Sequence, residues 1–170
     1  MDKIYKIEYV DASYTYEKKI AQTKLDSCEA YGYVEKNGSN IIISFIKKMG
    51  VVGSLVANKE KIIEGLVIPD MALISKIRTY KTDVLKGIKI GMSLSVTWRD
   101  VIHVANMAIY ECPVMYTEGI LFEIKTDHIV LKNPKTLRIN PKPIKNHPSS
   151  GLPTYLVVPI SFISSVEVFK

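Results

Sequence analysis

A pattern running from Gly119 to Leu131 has an earlier counterpart from Gly32 to Ile43, and this repetition constrains the fold more than any other feature of the chain. The later copy reads Glu118-Gly119-Ile120-Leu121-Phe122-Glu123-Ile124-Lys125-Thr126-Asp127-His128-Ile129-Val130-Leu131. The earlier reads Gly32-Tyr33-Val34-Glu35-Lys36-Asn37-Gly38-Ser39-Asn40-Ile41-Ile42-Ile43. Both pass from glycine through a β-type run to a glutamate, cross a polar turn and end in three β-branched or leucine residues. An apolar run with one proline follows each: Leu66-Val67-Ile68-Pro69 before Leu73-Ile74-Ser75, and Leu156-Val157-Val158-Pro159 before Phe162-Ile163-Ser164. A repeat this long does not suit a solenoid and points to two tandem small domains.

The comparison extends upstream, where Ser13-Tyr14-Thr15-Tyr16-Glu17-Lys18-Lys19-Ile20 lies against Ser95-Val96-Thr97-Trp98-Arg99-Asp100-Val101-Ile102. The expected order in each half is strand, short helix, strand, turn, strand, loop, strand, proline, strand. That assigns 1–80 to a first repeat, 81–86 to a charged linker and 87–170 to a second repeat. Thr15 is expected to cap a helix through about Asp26. Thr97-Trp98-Arg99-Asp100 resembles a capping box opening a helix to about Tyr110, because Val101, Val104, Ala105 and Ala108 share one helical face. Alternation across Val96–Val104 also fits a strand. Asn37-Gly38 is a hairpin turn, both residues tolerating positive φ. Proline cannot donate to a ladder, so Pro69 marks an edge, a bend or a bulge.

This unit resembles the Sm-like fold, a short helix followed by a strongly bent sheet closing into a small barrel. The resemblance rests on Gly119–Leu131, with Asp127-His128-Ile129 where the first Sm motif carries an acid and an aromatic or histidine. Leu156–Val166 stands where the second motif closes the barrel. The fold class so implied is mainly β with short helices, as two tandem small Sm/SH3-like barrels. The family forms rings and binds RNA in loops along the inner rim, so the resemblance implies self-association and an RNA partner. Two departures are plain: the family's loop asparagine is missing near Leu131, and Ile68-Pro69 and Val158-Pro159 replace its Arg-Gly.

Composition is compatible with that partner. The net charge is +6 and the pI about 9.2, which permits a polyanion. Arg78, Arg99 and Arg138 are the only arginines, so the positive charge is mostly lysine, suited to phosphate contact more than to bidentate base reading. Lys132, Lys135, Arg138, Lys142 and Lys145 fall in a proline-rich stretch, 132–155, that contains no acid and is expected to be a long irregular loop. The plainer reading of that loop is a solvated, semi-rigid connection whose lysines keep it soluble. Tyr5, Tyr9, Tyr14, Tyr16, Tyr31 and Tyr33, interleaved with lysines, suit base stacking or, more simply, core packing.

Several chemistries are excluded. Gly50-Val51-Val52-Gly53 lacks the Gly-Lys-Ser/Thr ending of a phosphate loop. Ser95, Asp100 and His103 are close in sequence, but no nucleophile elbow surrounds a serine. Asp127-His128 reads as turn chemistry beside its place in the Sm-like motif. Cys28 and Cys112 are too few for a disulfide framework or a zinc site, and two buried free thiols are expected over a bridge. No apolar run reaches the ~20 residues of a membrane span and no apolar leader opens the chain, so a cytoplasmic protein is expected. A single glutamine, Gln22, with abundant Ile and Lys matches heat-adapted composition and equally an A+T-rich genome.

The leading expectation is therefore a non-enzymatic protein that binds RNA or another polyanion through Lys132, Lys135, Arg138, Lys142, Lys145, Asp127 and His128, with neither cofactor nor metal. The alternatives are an assembly module pairing through barrel edges, and a split barrel holding a flavin or other small cofactor in its groove.

Overall fold

The computed structural model describes residues 3–16, 24–51, 63–73, 83–104, 111–140, 144–146 and 154–169. Strands run through nearly all of them, and period-two burial is clearest in one. In β3 (Asp26–Asn37), Cys28, Ala30 and Gly32 are buried while their neighbours are half-buried, as expected where one face meets a core. β1 (Tyr5–Asp11), β2 (Ser13–Tyr16), β4 (Asn40–Val51) and β5 (Ile63–Pro69) complete the first half. The second half holds β6 (Ser93–Arg99), β7 (Ile102–Val104), β8 (Val114–Ile124), β9 (His128–Asn140), β10 (Ile144–Asn146), β11 (Thr154–Pro159) and β12 (Ile163–Phe169). No helix among the described residues is long and apolar enough to cross a membrane.

Two antiparallel sheets result. The first has the order β1-β3-β4-β5-β7, the second β12-β6-β8-β9-β11-β2, with β10 added to β9. The order β1-β3-β4-β5-β7 matches β6-β8-β9-β11-β2, with β12 and β10 extra in the second sheet, and the exchange is reciprocal. β7, from the second half, closes on β5 through Gly65–Val104, Leu66–His103 and Val67–Ile102. β2, from the first half, closes on β11 through Thr154–Tyr16, Tyr155–Thr15, Leu156–Tyr14 and Val157–Ser13. The repeats read as 1–80 and 87–170 thus each lend one strand to the other's sheet. Both sheets feed one hydrophobic core, in which Ile43, Leu66 and Ile68 of the first lie with Leu94, Leu121, Ile129, Leu131 and Val158 of the second.

Where helices were expected, strands appear. Ser13–Tyr16 is β2 and the chain is again extended from Asp26; residues 17–23 lie outside the described set. Thr97-Trp98-Arg99 belongs to β6, paired with β8 on one side and β12 on the other. Val96 and Trp98 are buried and Thr97 is not, the period of a strand rather than a helix. Sheet pairing on both edges gives the backbone there partners that outweigh weak helix propensity. Ala105 and Ala108 fall outside the described residues. The linker at 81–86 is not a free connection either: Asp83–Leu85 form a 3-10 turn that packs on β12, with Leu85 buried in the core.

Pro69 and Pro159 act alike. Each ends a strand and opens a 3-10 turn, Asp70–Ala72 or Ile160–Phe162. The amide after each proline bonds back to the preceding hairpin: Asp70 N–H to the Ser39 carbonyl at 2.8 Å, Ile160 N–H to the Asp127 carbonyl at 2.9 Å. Proline's missing donor is harmless at a strand end, and its fixed φ near −58° starts the turn. The two turns pack against each other.

Bulges bend the long hairpin β8–β9. Pairing shifts between Glu118 and Ile120, where Asn133 takes a left-handed φ of 51° and Pro134 fits because no ladder donor is needed. Gly119 allows the approach: a Cβ there would lie 3.2 Å from the Leu131 Cβ and 3.2 Å from the Lys132 carbonyl oxygen. Gly38, at φ +58° in the other hairpin, has open space around it and is needed for conformation alone. Gly119→Ala is therefore expected to cost about 1–3 kcal/mol through overpacking, and Gly38→Ala about 1 kcal/mol through backbone strain. Urea unfolding of the two variants checks this; equal losses would mean that the close packing at Gly119 is relieved without cost.

Candidate functional site

The basic residues do not form one loop. Lys132, Lys135 and Arg138 lie on β9, and Lys145 lies on β10, registered against Leu137. The stretch is strand over 132–140 and 144–146, because β9 continues past its bulge to pair with β8, β10 and β11. Lys135 is exposed and stands across from Glu118. Lys132 is half-buried between Ile120 and Tyr155 in the register. Lys142 lies outside the described residues. The structure thus brings Lys132, Lys135, Arg138 and Lys145 onto one two-strand ribbon.

Asp127 and His128 close the β8–β9 turn, away from that ribbon along β9. His128 is 3% exposed, and its Nδ1 lies 2.6 Å from Asp127 Oδ1. Its Nε2 is buried without a hydrogen-bond partner. Asn40 occupies the matching position in the first half: Asn40 is registered with Pro69 as His128 is with Pro159, and its Oδ1 is buried and unpartnered too. Asn40 borders a polar pocket of about 280 Å³ with Ser39, Arg99, Glu111, Cys112 and Val114. Arg99 Nη1 donates to Ser39 Oγ at 2.8 Å across its wall.

The first tyrosines divide. Tyr9 is core, whereas Tyr5 is exposed with the Lys3 ammonium 5.4 Å above its ring. Tyr14, on the exchanged strand β2, donates its hydroxyl to Thr136 Oγ1 at 2.9 Å. Thr136 bonds Thr117 at 3.0 Å, and Trp98 Nε1 donates to Thr117 Oγ1 at 3.0 Å. This chain ties β2 through β9 and β8 to β6, and Trp98 is a core anchor on a strand rather than at a helix start.

A carboxyl pair that sequence reading missed lies where the two halves cross. Asp11 Oδ1 accepts the Ala12 N–H at 2.8 Å, and Asp100 Oδ1 accepts the Val101 N–H at 2.9 Å. The two carboxyls lie within hydrogen-bonding reach of each other, and burial holds both above the usual carboxylate range. The Ala12 N–H works against the rise at Asp11, to which the Asp26 charge adds; at Asp100 the Asp11 charge adds to burial. Aligning Ser13 with Ser95 hid the correspondence. Tyr5 stands against Gly32 and Leu94 against Gly119, so Asp11 matches Asp100 and the earlier alignment is seven residues out of step.

Among the described residues no group of three or more His, Cys, Asp or Glu side chains is placed to hold a metal. No family model, curated protein or solved structure matches the chain.

Both cysteines are free and buried. Cys28 occupies the position in its half that Met115 occupies in the other, and Cys112 packs with Ile42 and Val67. Burial pushes each thiol up to about 12, with the charges of Asp11 and Asp26 adding at Cys28 and the Arg99 charge opposing at Cys112. At pH 8 only about one thiol in 10⁴ would be ionised, and the thiolate is the reactive form. A chromogenic disulfide reagent should leave both thiols unmodified in the native protein for hours and titrate two per chain in urea. Rapid native reaction of either thiol would contradict its placement.

Proposed function

We propose that this chain is a non-enzymatic RNA-binding protein built as two tandem small Sm/SH3-like barrels that lend each other a strand. The observation that carries the reading is the charge of the β9–β10 ribbon. No acid occurs between Asp127 and Glu167, a span that includes Lys132, Lys135, Arg138, Lys142 and Lys145. A lysine-rich strand pair suits the regular spacing of backbone phosphates, and neutralising them releases counterions. The curled second sheet supports the small-barrel part: after the Ile160–Phe162 turn, β12 returns to pair with β6, the first strand of its half. A cytoplasmic setting belongs to the same reading.

Changing Lys135, Arg138, Lys142 and Lys145 together to Ala should weaken binding of a short unstructured RNA. The slope of log affinity against log salt should flatten by roughly 3 units if all four contact phosphate. Fluorescence anisotropy over a salt series measures it, with circular dichroism confirming the fold. An unchanged slope in a folded variant would remove the ribbon as an RNA site.

The second reading, self-association, is favoured by one specific surface. β12 ends its sheet and, among the described residues, leaves Val168 49% and Phe169 40% exposed. If a second copy pairs there, Val168→Lys should convert an oligomer to a monomer in light scattering. A monomeric parent protein would exclude this reading.

A further inference from the structure

Each half hands one short strand to the other sheet, and each hand-over is made at an aspartate. β1 ends at Asp11 and β2 begins at Ser13; β6 ends at Arg99 and β7 begins at Ile102, with Asp100 between. Each carboxylate holds the amide of the next residue, Ala12 at 2.8 Å and Val101 at 2.9 Å, and so fixes the bend that redirects its strand. The two carboxyl groups also lie within hydrogen-bonding reach of each other. Two carboxylates have no proton to share, so a bond between them forms only when one is protonated and donates its O–H.

Among the described residues, the charge from outside the pair that adds to burial is that of Asp26, acting on Asp11. Among the described titratable groups, Tyr9 from β1, Asp26 and Cys28 from β3, Tyr14 from β2 and Cys112 from the segment before β8 lie near enough to exchange electrostatic influence with one member or the other. Arg99, the adjacent cation, is engaged by Ser39 Oγ.

We propose that Asp11 and Asp100 form a proton-operated latch on the strand exchange, closed while the pair shares one proton and loosened when that proton is lost. With the proton, a charge-assisted bond joins the two crossing turns. Without it, two like charges face each other in a partly desolvated place, and their repulsion acts on the turns that feed β2 and β7. The sign follows from the direction of the shifts. Carboxyls that hold protons more tightly when folded stabilise the fold fully below the unfolded value, ~3.9, and lose that contribution as pH rises through the folded values. The exchanged strands are therefore held more firmly in mild acid than in mild base.

Hydrogen exchange of the full chain tests this, with rates corrected for intrinsic pH dependence, on the wild type and on Asp11→Asn and Asp100→Asn. Asparagine keeps an oxygen for the local amide and offers an N–H where the shared proton lay. In the wild type, opening of β2 and β7 should rise by up to about tenfold per pH unit over the range in which the proton is lost. Each Asn variant lacks the like-charge repulsion, so its opening should rise less steeply than that of the wild type and it should be better protected than the wild type at pH 8. The same slope in the Asn variants, or a flat wild type, overturns the latch. Should both variants fail to fold, carbon-13 titration of aspartate carboxyls in the wild type decides: two coupled carboxyls titrating above all others support it, and ordinary titration of every aspartate sinks it.

Discussion

Everything in this architecture depends on satisfying the backbone of β5 and β11. All six residues of β11 are buried, so unpaired N–H and C=O groups along either edge would cost about 1–3 kcal/mol each. One edge is met by β9 of the same half; the other is met by β2, which comes from the other half. β5 is served in the same way by β4 and β7. Neither half contains the strand that finishes its own sheet. A single shared core follows naturally, because strands that cross between sheets draw both apolar faces together.

Such short strands bring few ladder bonds, and side chains secure them. On β2 the Tyr14 hydroxyl enters the buried Thr136–Thr117–Trp98 chain from the surface, so a strand of four residues is tied to three others through polar side chains. In low dielectric these bonds are stronger and leaving any member unpaired is costlier, which favours this register over a slipped one. The bulge at Gly119 serves the same end by curving β8 and β9 around the core.

The sequence displayed the repeat because hairpins are local: glycine, polar turn and apolar run announce themselves within a dozen residues. Gly32 and Gly119 do correspond, both lying at pairing shifts. The Asn37-Gly38 turn and the bends after Pro69 and Pro159 were legible for the same reason. Strand exchange was not, since nothing local says whether β2 pairs at home or abroad. The helix read into Thr97–Tyr110 failed at Thr97–Val104, where capping chemistry was correctly sensed but misplaced: Asp100 does take a free amide, yet that of Val101 in a turn between strands. The carboxyl pair was hidden by the same error, because two aspartates become neighbours only once the strands before them are correctly aligned. For the basic ribbon, the abundance of proline argued for loop, while the bulge at Asn133-Pro134 lets a strand continue through it.

Comparison of the halves separates what the architecture requires from what is free to differ. The Pro–3-10 turns, the bulge glycines and the crossing aspartates occur twice, and each does a job that both halves need. Other matching positions have diverged: Tyr9 against Trp98, Cys28 against Met115, Asn40 against His128. The run without acids belongs to the second half alone, since its counterpart in the first half contains Glu60, Glu64 and Asp70. Charge asymmetry of this kind costs the fold little where the side chain is exposed, as at Lys135, because core volume does not constrain it there. The asymmetry sits on β9 and β10 rather than on the matching hairpin of the first half, and it is the difference between the halves on which the proposed polyanion reading draws.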